Sequence, residues 1–388
     1  MYTIQTLNKI SKAGTDKFDS SAYVVADTAE NPDAIMVRSA SMHDMEFGSN
    51  LLAIARAGAG VNNIPVDRCA EEGICVFNTP GANANAVKEL VLTGLLISSR
   101  KIPASIKWAA SLENEGDSIG KLVEKGKSNF AGPEIQGKTL GIIGLGAIGA
   151  LVANAAVSLG MQVVGTDPFL SVGAALRLKP SVKVVKTQED VFAEADYLTI
   201  HVPYNKDTKG MINAETISKM KDGVRILNYA RGELVDDDAI LEALASGKVA
   251  CYCTDFPNAK TCNAEGIIAT PHLGASTPES EDNCASMAAQ ELIDYLETGN
   301  ISNSVNLPNA QMNARGTKVC ILHTNVPSMI STVTAEAGKL GLNIENMVNA
   351  SRGNYAYTML EIMSDVPQKM ADDLLAIDGV IRVRIIAK

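Results

Sequence analysis

The chain has 388 residues, 46% of them hydrophobic and 20% charged, which is typical of a folded protein with two or three domains. Its net charge is −10 and its lysines and arginines form no cluster, so we expect neither a nucleic acid nor a membrane as partner. We find no signal peptide, no transit peptide and no apolar run long enough to span a membrane, so we expect a cytoplasmic protein. The seven cysteines do not have the spacing of metal ligands, so we expect reduced thiols and no metal.

The first hundred residues alternate apolar runs with helical patterns, which predicts a parallel sheet with helices on both faces. The predicted strands are Tyr2–Thr6, Tyr23–Ala26, Ala34–Arg38, Ala53–Ala57 and Ile74–Asn78. A long apolar helix, Asn85–Arg100, leads out of this region, and the polar stretch Ser111–Pro133 is expected to be an exposed helix and loop.

A glycine motif follows, with the order strand, G-x-G-x-x-G, helix, strand and acid. These parts are Thr139–Ile143, the glycines Gly144, Gly146 and Gly149, the helix Ala147–Gly160, the strand Gln162–Thr166, and Asp167. The first glycine permits a tight turn, the second lets a pyrophosphate approach the backbone, and the third lets helix and strand pack closely. A carboxylate at Asp167 would bind the ribose hydroxyls of NAD and repel the 2′-phosphate of NADP. The alternative is a glycine-rich turn without a ligand, but the complete order of parts favours NAD.

The remaining chain repeats strand and helix, and its pattern changes once near residue 306. The next predicted strands are Val182–Val185, Tyr197–Ile200, Val224–Asn228, Val249–Thr254 and Ile267–Thr270, followed by the helix Ser276–Gly299. After a Pro- and Asn-containing linker come strand Lys318–His323, helix Ser328–Gly341, strands Asn343–Ala350 and Tyr355–Met363, helix Gln368–Ile377 and strand Val380–Ile386. This βαββαβ order predicts a separate ferredoxin-like domain.

Candidate site residues follow the predicted strands, because ligands in open α/β sheets bind beyond the carboxyl ends of strands. Arg231 could bind a carboxylate with two hydrogen bonds; the alternative is a salt bridge with Asp236 or Asp237. His272 could carry a proton, since histidine titrates near neutral pH; the alternative is a buried structural histidine. That structural role is the one predicted for His201.

Several blocks resemble the signatures of the D-isomer-specific 2-hydroxyacid dehydrogenases. These blocks are GLGAIG, HVPYNKDTKGMIN, NYARGELVD and TPHLGAST, with RSAS, RAGAGVNN and NTPGANANAVKEL before them. HTNVPSM and GLNI are similar to an ACT regulatory domain. The resemblance implies reversible NAD-dependent oxidation of 3-phosphoglycerate, on the phosphorylated route to L-serine. Two alternatives stay open: another enzyme of the family, such as a glyoxylate or hydroxypyruvate reductase, and a non-catalytic NAD-sensing protein.

The resemblance also implies roles for individual residues. Arg231 and His272 match the catalytic arginine and histidine. Matches to NAD contacts are Ala59, Ala147, Ile148, Asp167, Val202, Pro203, Tyr229, Ala230, Asp255, Leu273, Gly274 and Ala275. Arg38, Ser39 and Lys127 match groups that bind the substrate phosphate, and the backbone of Gly58, Gly60 and Val61 would form an anion nest. His323, Asn325 and Asn343 match an L-serine effector site, whose alternative is a plain folded module.

The resemblance and the element pattern together predict an α/β fold in which a Rossmann-type NAD domain is inserted in a flavodoxin-like substrate domain. The predicted boundaries are 1–98 with 282–306 for the substrate domain, 99–281 for the NAD domain, 307–316 for a linker and 317–388 for the ACT domain. A homodimer or homotetramer is expected.

Two departures from the family pattern stand out. The family's Glu-Pro, whose carboxylate pairs with the histidine, is missing, and Lys260 lies where the Glu belongs. Glu265 could replace it from a shifted loop; our hypothesis is that His272 has no carboxylate partner, because Lys260 would disfavour the imidazolium. The second departure is Ser328, where ACT domains often have Gly.

Overall fold

The chain divides into two compact units, one formed by residues 1–83 and 278–388 and the other by residues 84–277. The computed structural model describes residues 1–387, so Lys388, at the end of the predicted ACT domain, lies outside the described residues. The middle of the chain is therefore inserted between two parts of the first unit, as predicted. The division into three domains with a linker stays a prediction.

The first unit begins with a five-stranded sheet in the order β2-β1-β3-β4-β5, and its neighbouring strands are parallel. The strands are β1 Tyr2–Leu7, β2 Tyr23–Ala26, β3 Ala34–Val37, β4 Ala53–Arg56 and β5 Cys75–Phe77, with helices α1 Lys12–Thr15 and α2 Val66–Glu71. This is the flavodoxin-like strand order, so the predicted fold of this region is confirmed.

The second unit opens with helices. They are α3 Ala84–Ser99, α4 Ile102–Ala110 and α5 Ile119–Gly126, with 3₁₀ turns at Gly116–Ser118 and Lys127–Phe130. Neither α4, α5 nor either turn contains a buried residue, which confirms the predicted exposed helix and loop. Helix α3, by contrast, buries residues such as Val91 and Leu95 in the core of the second unit.

A seven-stranded sheet forms the centre of the second unit, in the order β12-β11-β10-β9-β6-β7-β8. Its elements are β6 Thr139–Ile143, α6 Ala147–Ser158, β7 Gln162–Thr166, α7 Val172–Ala175, β8 Lys183–Val184, α8 Gln188–Glu194, β9 Tyr197–Ile200, α9 Ala214–Ser218, β10 Val224–Asn228, α10 Asp237–Ala245, β11 Val249–Thr254 and β12 Ile267–Ala269. All its strand pairs are parallel, and the order reverses between β6 and β9. This is the Rossmann arrangement, in which the reversal marks the nucleotide crevice.

The chain then returns to the first unit through a long helix and a second sheet. These elements are α11 Pro278–Thr298, β13 Thr317–Thr324, α12 Met329–Lys339, β14 Ile344–Arg352, β15 Tyr355–Ile362, α13 Gln368–Leu375 and β16 Val380–Ile386. The sheet is antiparallel in the order β14-β15-β13-β16. The predicted ferredoxin-like arrangement is confirmed.

Both faces of this C-terminal sheet are covered. Val319 and Ile321 face a core shared with α12 and α13. Cys320 and Leu322, on the opposite face of β13, join the core of the first sheet and α11. The segment predicted as a linker also enters that core, because Leu307, Ala310 and Met312 are buried in it.

Among the described residues, each helix is too short or too polar to cross a membrane. The seven cysteines are free thiols, and only Cys262 is exposed.

Candidate active site

The glycine loop has the geometry that close approach of a pyrophosphate requires. Gly144 adopts a φ of +94°, and a Cβ at Gly149 would lie 1.9 Å from the Gly144 carbonyl oxygen, so helix α6 packs directly on the loop. A Cβ at Gly146 would meet no atom within 4 Å. Helix α6 begins at Ala147 without a side-chain cap, which leaves its first N–H groups open to an anion.

Asp167 is fixed beside this loop by two backbone donors. Its Oδ2 accepts from the N–H of Leu145 at 2.9 Å, and its Oδ1 accepts from the N–H of Phe169 at 2.9 Å. A carboxylate oxygen can accept more than one hydrogen bond, so both keep capacity for ribose hydroxyls. The arrangement fits the adenosine end of NAD.

Arg231 lies between β10 and the 3₁₀ turn Gly232–Leu234, in an extended conformation with φ −151°. Its Nη1 donates to the Ala230 carbonyl at 2.6 Å, and no ion pair of Arg231 occurs among the described residues. Asp236 instead accepts from the N–H of Ala239 and caps α10. Because neither Asp236 nor Asp237, the two expected alternative partners, forms an ion pair with Arg231 in the described residues, the guanidinium could bind a carboxylate.

The two histidines have opposite environments. His272 is exposed, and its ring centroid lies 4.6 Å from that of Phe256. His201 has a buried ring that shares a 3.0 Å hydrogen bond between Nε2 and Oγ1 of Thr199, and burial lowers the pKa of His201 to about 4. His201 is therefore neutral at physiological pH, as expected of a structural histidine, whereas His272 is exposed to solvent.

Asp255, at the end of β11, carries a buried carboxylate that is only half satisfied. The residue is 1% exposed; its Oδ2 accepts from the N–H of Gly274 at 3.1 Å, and its Oδ1 is buried without a partner. Burial raises the pKa of Asp255, opposed by the positive charge of His272 and by backbone N–H donors. An amide N–H from a ligand would satisfy Oδ1, so this residue fits the carboxamide of NAD.

Phe256 connects the two predicted catalytic loops, and the sequence reasoning missed it. A Cβ built on Gly232, the residue after Arg231, would lie 3.2 Å from Cβ of Phe256, whose ring also contacts His272. The turn that follows Arg231 and the ring of His272 therefore both lie beside one aromatic side chain within the second unit. The available signal was an aromatic residue directly after Asp255, at a strand end.

The other predicted cofactor contacts lie around the same strand ends. Val202 and Ala230 pack at the margin of a core, and the Pro203 carbonyl accepts from Oγ1 of Thr208 at 2.7 Å. The side chain of Tyr229 is buried, with its hydroxyl against Gly94 of α3, so only its backbone could contact a cofactor. Ile148, Leu273 and Ala275 are half-buried or exposed, and their contacts stay predictions.

Neither Lys260, which lies where the family's glutamate belongs, nor Glu265, its possible replacement, forms a hydrogen bond or ion pair with His272 in the described residues. The ammonium of Lys260 is bound by Asp238 at 2.7 Å. Glu265 is exposed, and no hydrogen bond or ion pair from its carboxylate appears in the described part of the chain. The imidazole of His272 likewise makes no hydrogen bond there, although the Asp255 carboxylate interacts with its charge. The absence of a carboxylate partner for His272 stays a hypothesis.

Some of the groups in the first unit that are predicted to bind the substrate phosphate or carboxylate already have partners within the protein. The guanidinium of Arg38 forms a 2.7 Å ion pair with Glu281, and the N–H of Ser39 donates to Oδ1 of Asn8 at 3.0 Å. After β4, the N–H groups of the loop containing Gly58, Ala59, Gly60 and Val61 are less used: only that of Gly58 has a backbone partner among the described residues. In the second unit, Lys127 pairs with Glu124 on an exposed turn.

Comparison with known proteins places the chain in a family. Residues 94–274 match the profile described as "D-isomer specific 2-hydroxyacid dehydrogenase, NAD binding domain". The hydroxypyruvate reductase of Thermotoga maritima is 39% identical over 264 residues, which are 64% of this chain and 80% of that protein. The chain belongs to the D-isomer-specific 2-hydroxyacid dehydrogenases.

Other relatives within the dehydrogenase family carry a more specific name. The D-3-phosphoglycerate dehydrogenase of Bacillus subtilis is 34% identical over 328 residues, 79% of this chain and 59% of that protein. The chain thus spans little more than half the length of the curated relatives of this name. An NAD⁺-bound 3-phosphoglycerate dehydrogenase from Entamoeba histolytica superposes with a TM-score of 0.61 at 26% identity, covering 79% of this chain and 98% of that one.

The residues predicted to bind an effector already have partners within the C-terminal sheet of this chain. His323 is 2% exposed; its Nδ1 contacts the Thr324 carbonyl at 2.8 Å, and its Nε2 contacts Oγ1 of Thr358 at 2.9 Å. The Asn325 amide donates to the Gly353 carbonyl at 3.3 Å. No hydrogen bond joins His323 to Asn325 or Asn343 in the described structure, so an L-serine site there stays a prediction.

Proposed function

We propose that this chain catalyses the reversible NAD-dependent oxidation of 3-phospho-D-glycerate to 3-phosphohydroxypyruvate, the first step of the phosphorylated route to L-serine. One observation carries the proposal: Phe256, at the end of a Rossmann strand, contacts the exposed His272 ring and packs beside Gly232, the residue that follows Arg231, whose guanidinium forms no ion pair in the described residues. The names of several relatives support the phosphorylated substrate.

The proposed mechanism gives each side chain one task. Arg231 binds the substrate carboxylate with two hydrogen bonds, helped by the backbone N–H groups after β4. His272 accepts the proton of the C2 hydroxyl in oxidation and returns it in reduction. Arg38 and Ser39 bind the phosphate, with Lys127 as a further cation. NAD, held by the glycine loop, Asp167 and Asp255, supplies the hydride acceptor when bound.

Steady-state rates test this proposal directly. NADH oxidation is measured with 3-phosphohydroxypyruvate, hydroxypyruvate and glyoxylate, for the wild type and for His272→Gln. Loss of a positioned proton carrier lowers kcat by about 10²–10⁴. His43→Gln is the matched control, because His43 is exposed and its ring is hydrogen-bonded to the Asn62 carbonyl. Equal kcat values for wild type and His272→Gln would overturn the mechanism.

A reductase for hydroxypyruvate is the second candidate. The Arg38–Glu281 ion pair favours it, because a neutralised cation attracts phosphate less strongly. A higher kcat/KM for hydroxypyruvate than for the phosphorylated substrate would establish it. Failure to oxidise NADH with any 2-oxo acid would instead indicate an NAD-sensing binding protein.

The proposal also includes inhibition by L-serine, a homo-oligomer and a reducing compartment. L-Serine binding at His323, Asn325 and Asn343 would show as inhibition when serine is titrated into the assay. A homodimer or homotetramer is supported by exposed apolar side chains in the second unit, including Ile106 at 63% exposure, and sedimentation would reveal it. The free thiols favour a reducing compartment such as the cytoplasm.

A further inference from the structure

Phe256 has an arrangement that ordinary core packing does not require. The residue is half-buried, its ring lies 4.6 Å from the His272 ring at an interplanar angle of 48°, and its Cβ packs against Gly232. It therefore touches the turn after Arg231 on one side and the proton carrier on the other. No other aromatic ring pair in the described structure includes a histidine.

The backbone around Phe256 is itself fixed. Its N–H donates to Oγ1 of Thr254 at 3.1 Å, and the preceding Asp255 accepts from the N–H of Gly274 at 3.1 Å. Two consecutive residues after β11 thus hold the His272 loop, Asp255 by a hydrogen bond to its backbone and Phe256 by contact with its ring. Of the two residues, only Phe256 contacts the imidazole ring directly.

No hydrogen bond orients the imidazole in the described residues, and Lys260 is bound to Asp238. The Asp255 carboxylate interacts with the charge of His272 but makes no hydrogen bond to its ring. An exposed imidazole without a partner rotates freely about χ1 and χ2, and it loses that freedom when it acts as a base. A ring contact that restricts this rotation therefore contributes directly to proton transfer.

We infer that Phe256 is a positioning residue: its ring holds the His272 imidazole, and its Cβ holds the turn after Arg231, so that both loops keep one geometry. It would perform by ring contact the orienting task that a carboxylate performs in the family pattern. The inference rests on the proposed function, since it concerns the orientation of the proposed proton carrier.

Substitution of Phe256 separates this role from general packing. Phe256→Leu keeps apolar volume but removes the ring, and we expect kcat to fall about 10- to 100-fold with an unchanged KM for NADH, because misplacement affects the chemical step. Phe256→Tyr keeps the ring and restores kcat. Phe47→Leu is the matched control, since the half-buried Phe47 ring faces Arg68 in the first unit.

A double-mutant cycle decides whether the effect passes through the histidine. In the His272→Gln background, Phe256→Leu changes kcat by less than about twofold if Phe256 works through His272. An equal loss in both backgrounds, or a rise in the KM for NADH without a fall in kcat, would overturn the inference. The cycle can use whichever 2-oxo acid the enzyme reduces best.

An NMR measurement makes the test independent of activity. The chain has four histidines, so the ring C–H signals are few, and His272→Gln identifies the signal of His272. Phe256→Leu should shift that signal more than the others, because the ring current of Phe256 is lost. An unmoved His272 signal would overturn the contact. If no 2-oxo acid is reduced, the proposed function fails, while this shift alone still decides the Phe256 contact.

Discussion

The charges of individual side chains affect how strongly the proposed phosphate site at Arg38 would bind phosphate. Arg38 and Glu281 form a 2.7 Å ion pair with side chains 39% and 42% exposed, so solvent weakens the pair without abolishing it. A phosphate that binds Arg38 competes with this carboxylate and is repelled by it. If Arg38 binds the substrate phosphate as proposed, Glu281 should lower the affinity for a phosphorylated substrate and leave the affinity for an unphosphorylated substrate unchanged.

Glu281→Gln is expected to lower the KM for 3-phosphohydroxypyruvate by about two- to fivefold, in line with an exposed ion pair worth about 0–1 kcal/mol. The KM for hydroxypyruvate should not change. Glu279→Gln, in the same first turn of α11, is the control. If both substrates respond equally, Arg38 does not bind the phosphate.

A second buried carboxylate, that of Glu291, makes the stability of the folded chain depend on pH. It is 6% exposed, its Oε1 accepts from the Asn303 amide at 2.8 Å, and its Oε2 is buried without a partner. Burial raises the pKa of Glu291 from 4.5 to about 8, with a smaller contribution from Asp294. The folded chain therefore retains a proton that the unfolded chain loses between these pH values, so stability falls as pH rises through this window.

Glu291→Gln should remove that dependence. The free energy of unfolding of the variant, relative to wild type, should rise from pH 4.5 to pH 8 by on the order of 4 kcal/mol, at 1.36 kcal/mol per pKa unit. Urea unfolding at several pH values measures this slope. Glu279→Gln, exposed on the same helix, should show no such slope; parallel curves for Glu291→Gln and wild type would refute the shift.

At the scale of elements, the start of helix α6 combines two glycines with different tasks. Gly149 is packed against the Gly144 carbonyl oxygen, whereas Gly146 faces open space. Gly149 therefore serves the contact between helix and strand, and Gly146 leaves room for a ligand. Strand, turn and helix geometry alone distinguish these roles.

Two alanine substitutions separate the roles of these glycines. Gly149→Ala should destabilise the second unit, because the new Cβ would lie 1.9 Å from a carbonyl oxygen. Gly146→Ala should leave thermal unfolding unchanged but weaken NADH binding at least about tenfold, because the methyl group occupies the pyrophosphate approach. NADH fluorescence titration and calorimetry measure both. Unchanged NADH affinity in Gly146→Ala would contradict the proposed cofactor site.

At the scale of the molecule, the C-terminal sheet is joined to the rest of the first unit by more than apolar contact. Arg384 of β16 donates to the carbonyls of Tyr295 and Leu296 at 3.0 and 2.7 Å, and its guanidinium lies 4.8 Å from the Tyr295 ring centroid. Tyr357 of β15 donates to the Gly299 carbonyl at 2.8 Å. Side chains of the C-terminal sheet thus donate hydrogen bonds to the backbone carbonyls at the end of α11, in the same unit.

Arg384→Met should lower the free energy of unfolding by about 2–4 kcal/mol, because two charge-assisted hydrogen bonds to partly buried carbonyls are lost. Lys369→Met is the control, since Lys369 forms only an exposed ion pair with Asp373, worth about 0–1 kcal/mol. Denaturant unfolding followed by circular dichroism compares them. Equal losses would mean that the sheet is not tied to α11 through Arg384.

Most secondary elements and all three sheet classes could be predicted from the sequence. Apolar periodicity and turn glycines are local signals, so the strand ends that carry Asp167, Arg231, Asp255 and His272 were predicted within about one residue. The linker was harder to describe: Pro308 and Gly316 indicated a loop, but the burial of Leu307 depends on a core assembled from both ends of the chain.

By itself, the sequence determined the order of elements, the glycine loop and the residue types at each strand end, because these depend on neighbours within a few positions. Only the tertiary structure decided that Phe256 contacts His272, that Lys260 binds Asp238, and that Arg38 pairs with Glu281. The physical reason is that each of these contacts joins residues far apart in the chain. Which side chains meet there depends on how loops pack and where each carboxylate finds its nearest cation.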